Sequence, residues 1–219
     1  MSDNTSNNKR IAKNTLFLYI RMIFVLLVSL YSTRAILNAL GVVDYGIYNV
    51  VAGFVLMFAF LNSSMTNTIQ RFFNFERGNS NSDNLNKVYI TSLQIQITLG
   101  IITVVLLEII GIWYINNKMV IPVDRISAAM CVFQFSVISL FLLILQIPYG
   151  AAVVAHEKMG FYAIVSMVDV ILKLFIAFIL PYIPYDRLIY YGIFMLIISI
   201  ANIFLYFVYA KKNFEEIRY

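Results

Sequence analysis

The chain has 219 residues, of which 61% are hydrophobic and 12% charged, and it carries a formal net charge of +5; its mean hydropathy is +0.83. A soluble domain has roughly 25% charged residues, so this chain has too little polar material to clothe a fold in water, whereas lipid is as apolar as a core and needs no such skin. A single cysteine, Cys131, and a single histidine, His156, exclude an intrachain disulfide, a thiolate cluster and any chemistry that needs two imidazoles.

Residues 1–13 read as a polar tail with no cleavable signal. From residue 14 to 210 the sequence predicts an all-α integral membrane protein, a bundle of six transmembrane helices. The spans cover about residues 14–40, 44–66, 88–114, 126–148, 161–182 and 187–210, each near or above the ~20 residues that cross a bilayer core. Runs of this length satisfy their backbone internally as helices, whereas barrel strands would be about ten residues long and alternating. The first span is interrupted by Arg21 and Arg34. Gly41 and Gly46, with Asp44 between them, mark the first turn, and the polar run 78–86 the second. Asn116, Asn117, Lys118 and Pro122 separate spans three and four; His156, Glu157 and Lys158 lie between four and five; Pro181 and Pro184 end the fifth. Residues 211–219 form a basic tail.

Orientation follows from the basic residues. Lys9, Arg10, Lys13, Arg71, Arg77, Lys87, Lys158, Lys211, Lys212 and Arg218 fall on one side, and Lys118, Arg125 and Arg187 on the other. That bias places both termini in the cytoplasm. It also accounts for the basic excess as orientation in a membrane, so no nucleic-acid partner is expected.

Five ionisable side chains fall within the predicted spans: Arg21, Arg34, Glu108, Asp169 and Lys173. Charge at membrane depth costs roughly 2.5–3.5 kcal/mol on insertion scales and marks sites by default. Arg21, about one turn inside the first span, can attract a phosphate from a cavity wall or snorkel to the interface. Arg34 has the same two readings at the opposite end of that helix. Asp169 and Lys173 are spaced i,i+4 and share a face, as a cavity-lining pair or as a structural salt bridge. Glu108 has no cation near it in sequence; it reads as an ion-coupling group or as a carboxyl near a wet interface. Asn62, Ser63, Ser64, Thr66, Gln94, Gln96, Gln134 and Gln146 either line a hydrophilic path or join helices by hydrogen bonds. Loops this short carry no phosphate-binding lysine loop, zinc-binding histidine pair or nucleophile elbow, so no catalytic residue, metal or cofactor is expected and the chain is not read as an enzyme.

The opening stretch, from Asn14 and Arg21 through Thr33–Arg34, Leu40–Gly41 and Asp44–Tyr45–Gly46–Ile47–Tyr48 to Arg71–Phe72, resembles the start of bacterial polysaccharide repeat-unit flippases of the Wzx type. These belong to the multidrug/oligosaccharidyl-lipid/polysaccharide exporter superfamily. Ala155–His156–Glu157–Lys158–Met159 and Lys211–Lys212–Asn213–Phe214 extend the resemblance along the chain. It implies an alternating-access transporter of the bacterial inner membrane. Its cargo would be undecaprenyl-diphosphate-linked oligosaccharide for O-antigen, capsule or exopolysaccharide, carried through a cationic cavity to which Arg21 would contribute. Such transporters have two lobes of six helices, so the chain corresponds to the N-terminal lobe, with residues 211–219 opening the linker to a second lobe. The lobe by itself is expected to be inactive. The implied partners are the lipid-linked oligosaccharide, membrane lipid, the second lobe and the polysaccharide polymerase machinery. Two other readings stand beside this one: a drug or metabolite antiporter of the same superfamily, which a carboxylate in the first span would favour, and a non-transporting membrane assembly subunit.

Overall fold

The computed structural model describes residues 2–78 and 82–217, with side chains described for 15–59, 64–78, 84–215 and 217. The side chains of Lys9, Arg10, Lys13, Asn14, Asn62 and Ser63, the centre of the polar run 78–86, and Arg218 lie outside the described residues. Every element among the described residues is helical: α1 (Ser2–Leu56), α2 (Phe60–Gly78), α3 (Ser82–Asn117), α4 (Ile126–Ala155), α5 (Met159–Ile179) and α6 (Arg187–Asn213). Short 3₁₀ turns join or flank them at Met57–Ala59, Val123–Arg125, Leu180–Tyr182 and Glu215–Ile217. Five stretches are long and apolar enough to cross a bilayer: Thr15–Gly78, Asn84–Asn117, Val123–Ala155, Met159–Tyr182 and Arg187–Asn213. The bundle exposes large apolar side chains such as Leu27, Leu30, Ile109, Phe175 and Phe204. Contiguous apolar surface of this kind suits lipid and not water, as in a membrane protein.

The helices run past the predicted spans at several ends. α1 starts at Ser2, well before the apolar run, and α2 continues to Gly78 through the polar residues after 66. Once an apolar run has nucleated a helix, each added residue gains a hydrogen bond at little cost, so helices extend beyond the segment that hydropathy marks.

Gly41 breaks α1, with φ 79° and ψ 168°. An L-residue with a Cβ rarely adopts that backbone conformation, so glycine permits the bend there. The contacts on either side show the chain doubling back. Before the bend, Arg21 meets Tyr162, Tyr31 meets Phe178, and Ile36 and Ala39 join Ala177 and Leu180 in one apolar cluster. After it, Asp44 pairs with Arg125, and Ile47, Val51 and Val55 join Ala128, Val132 and Leu140. Farther on, Ile69 and Phe73 pack with Ile147 and Val153, and Arg77 donates to the Ala155 carbonyl. Arg21 and Arg77 therefore lie at one end of the bundle, beside the loop between α4 and α5. Residues 39–44 lie at the other.

Helix α4 is the hub, packing against α1, α2, α3 and α6. Small residues make this possible. Ala128, Ala129, Ala151, Ala152 and Ala155 are all buried, and small side chains let helix backbones approach closely where lipid gives no hydrophobic drive to associate. Glycine does the same on neighbouring helices: the Phe133 ring of α4 lies over Gly111 of α3, and Phe135 over Gly192 of α6.

Candidate functional site

A cavity of about 490 Å³ lies among α1, α4, α5 and α6. It gathers polar groups from otherwise apolar helices. Helix α5 contributes Tyr162, Ser166, Asp169 and Lys173, spaced by four, three and four residues and so stacked along one face. Helix α6 adds Ser199, Asn202 and Tyr206 at spacings of three and four, and α4 adds Ser136, Ser139 and Gln146. Arg21 and Tyr48 enter from the two arms of α1.

Three of the five sequence-predicted site residues, Arg21, Asp169 and Lys173, meet in this cavity. The Lys173 ammonium lies 2.7 Å from Asp169 Oδ2, and Asn202 Nδ2 donates to Asp169 Oδ1 at 2.7 Å. The carboxylate thus joins α5 to α6, and both of its oxygens are engaged. The Arg21 guanidinium lies over the Tyr162 ring, 4.5 Å from its centroid, and its Nη2 donates to the Tyr162 hydroxyl at 3.4 Å. A cation over an aromatic face gains about 0.5–2 kcal/mol, which helps to hold Arg21 away from bulk water. Its Nε is buried and without a hydrogen-bond partner. Two cations and one carboxylate line the cavity, so its wall carries net positive charge. Ser166 and Ser199 donate their hydroxyls to the carbonyls of Tyr162 and Met195. The lining therefore offers net positive charge from Arg21 and Lys173 and three tyrosine side chains (Tyr48, Tyr162 and Tyr206), chemistry that suits a polar, anionic group.

The other two predicted residues lie elsewhere. Arg34 lines a separate cleft between α1 and the end of α5, with Phe178, Pro181 and Tyr182. Glu108 sits at the α3–α4 contact and accepts from Gln134 Nε2 at 3.1 Å. Among the described residues no group of three or more His, Cys, Asp or Glu side chains is arranged to hold a metal.

Sequence reasoning missed two features. One is the breadth of the polar lining on α5 and α6, although the spacing of Tyr162, Ser166, Asp169 and Lys173 at helical period was there to be read. The other lies at the end where the chain bends. Arg125, counted only as an orientation charge, bridges Asp44 and Asp186, with Nη1 2.6 Å from Asp186 Oδ2 and Nη2 paired to Asp44. No sequence pattern joins three residues so far apart in the chain. Comparison with family models, with curated proteins and with solved structures returns no match.

Proposed function

We propose that the chain is one lobe of a transporter that carries a lipid-linked, anionic oligosaccharide across a bacterial inner membrane, as its resemblance to repeat-unit flippases implies. The observation that carries this reading is the cavity itself: Arg21 and Lys173 against a single carboxylate, Asp169, inside a bundle whose outer surface suits lipid. A buried guanidinium with a free donor favours a phosphate or an acidic sugar. Tyrosine rings offer apolar faces and hydroxyls to a carbohydrate.

The reading includes six crossings. A straight helix over the 64 residues of Thr15–Gly78 would run about 96 Å, three times the ~30 Å hydrocarbon core. The bend at Gly41 lies within that stretch and supports reading it as two crossings. The basic bias then puts both termini and the loop between α4 and α5 in the cytoplasm, and the Gly41 end outside.

The test is genetic and biochemical. Deleting the gene is expected to abolish surface polysaccharide and to leave lipid-linked repeat units on the inner leaflet. Arg21→Gln and Lys173→Gln are expected to reproduce this loss in folded protein at normal abundance. Undiminished surface polysaccharide in the deletion, in a host with no second flippase, overturns the proposal.

A further inference from the structure

We propose that Arg125, with Asp44 and Asp186, is a latch that holds the cavity closed at the Gly41 end of the bundle. The inference rests on the transport reading above, in which that end faces outward.

Three segments meet in this contact. Asp44 begins the second arm of α1, Arg125 stands just before α4, and Asp186 caps α6, accepting from the Leu188 amide at 3.0 Å. Arg125 offers one nitrogen to each carboxylate. The Asp44 side chain is only 9% exposed, whereas Arg125 and Asp186 are near 30%. The contact is therefore buried at Asp44 and partly exposed at Arg125 and Asp186. About one helical turn inward, the rings of Tyr48 and Tyr191 meet edge to face at 4.5 Å. Tyr48 is also a wall of the cavity. The ion layer and the tyrosine pair thus lie in series between the cavity and that end.

Both ends of the bundle hold buried apolar packing: Ile36, Ala39 and Leu180 at the Gly41 end, and Ala151, Ala152, Tyr206 and Ala210 at the other. They differ in their polar ties. At the Gly41 end these are the ion triad, and Arg187 donating to the carbonyls of Ala39 at 3.2 Å and Pro181 at 3.1 Å; at the other, Arg77 donates to the Ala155 carbonyl and Arg21 to the Tyr162 hydroxyl. Charged contacts beside water exchange for hydration at small net cost, so the ion triad is a tie that water can replace when that end opens. Gly41 lies next to the latch and supplies a backbone position free of a Cβ about which the chain can swing.

The experiment uses the full chain in sealed, right-side-out vesicles, with Cys131→Ser removing the native thiol. Two single-cysteine reporters are made: Ser199→Cys in the cavity wall and Val42→Cys at the bend, where Val42 is 79% exposed. A membrane-impermeant maleimide is added outside. With the latch intact, Val42→Cys reacts quickly and Ser199→Cys slowly. Arg125→Ala is expected to raise the Ser199→Cys rate about tenfold, between what an exposed and a buried ion pair would give, and to leave Val42→Cys unchanged. Arg125→Lys, which keeps one cation facing both carboxylates, is expected to retain slow labelling. If Arg125→Ala does not fold, Asp186→Asn removes one tie and retains a capping side chain; it is expected to shift the Ser199→Cys rate in the same direction by less. An unchanged Ser199→Cys rate in folded Arg125→Ala, or in Asp186→Asn if that variant has to stand in, overturns the latch. Val42→Cys that labels only after permeabilisation overturns the outward orientation instead, and the latch is then judged on the same rates in inverted vesicles.

Discussion

Removing the Asp169 carboxylate strips two partners at once. Lys173 Nζ and Asn202 Nδ2 each lie 2.7 Å from one of its oxygens. Hydrogen bonds between membrane helices average about 0.6 kcal/mol and reach about 1.7; with a charged acceptor, the Asn202 bond belongs toward the upper part of that range. The Lys173 pair needs a discount, because its side chains are 37% and 19% exposed. Exposed i,i+4 pairs give about 0.3–0.5 kcal/mol, while breaking a buried pair costs about 3–5. A half-screened pair falls near 1–2 kcal/mol, so Asp169→Ala should cost about 2–3 kcal/mol in all. Lys173→Ala should cost less, since Asp169 keeps Asn202 as a donor. The double variant Asp169→Ala/Lys173→Ala should then be less destabilised than the two singles added together, with a coupling of about 1–2 kcal/mol. The assay is equilibrium unfolding of the full chain in mixed micelles, with wild type and the three variants measured as a cycle. Additivity within about 0.3 kcal/mol, the usual result for sites that do not interact, would refute the claim that the cavity pair is a coupled unit.

Two further substitutions probe the scaffold that shapes the cavity. Gly41→Ala forces a Cβ onto a backbone at φ 79°; such strain costs about 1–3 kcal/mol, and the same unfolding assay should show that loss. Gly111→Val pushes side-chain atoms into the ring of buried Phe133. Overpacking of this kind costs about 1–3 kcal/mol; unfolding should show the loss, and Phe133→Ala in the same chain should relieve most of the clash, so a double variant no better than the sum of the singles would count against the contact.

The parts of this fold that depend on local composition were legible. Long apolar runs mark the five membrane-length stretches, and the glycines and prolines fall close to several of the breaks. The i,i+4 spacing of Asp169 and Lys173 predicts the ion pair observed. What stayed hidden depends on which helix faces which. Arg21 and Arg34 have the same chemistry and lie on the same helix. The first points into the cavity among α1, α4, α5 and α6 and the second into a cleft by Pro181, because the arm before Gly41 runs alongside α5. Glu108 looks unpartnered in sequence, yet the approach of α4 over Gly111 brings Gln134 within reach of it. Helix ends were blurred for a separate reason: hydropathy records where lipid stops, and the backbone does not have to stop there.

The distribution of polar groups along α5 ties these observations together. Facing lipid, this helix would be cheapest with no polar side chain at all, and its outer face, with Ile164, Val168, Ile171 and Phe175, meets that condition. Its inner face carries a hydroxyphenyl, a hydroxyl, a carboxylate and an ammonium in succession, and each has a hydrogen-bond or ionic partner in the bundle. Arg21 differs, because its guanidinium is held by Tyr162 while Nε remains buried and unused. A sequence under pressure only for stability would fill that position with leucine, since an unsatisfied buried donor costs about 1–3 kcal/mol. The unpaired donor is thus a cost that packing does not explain.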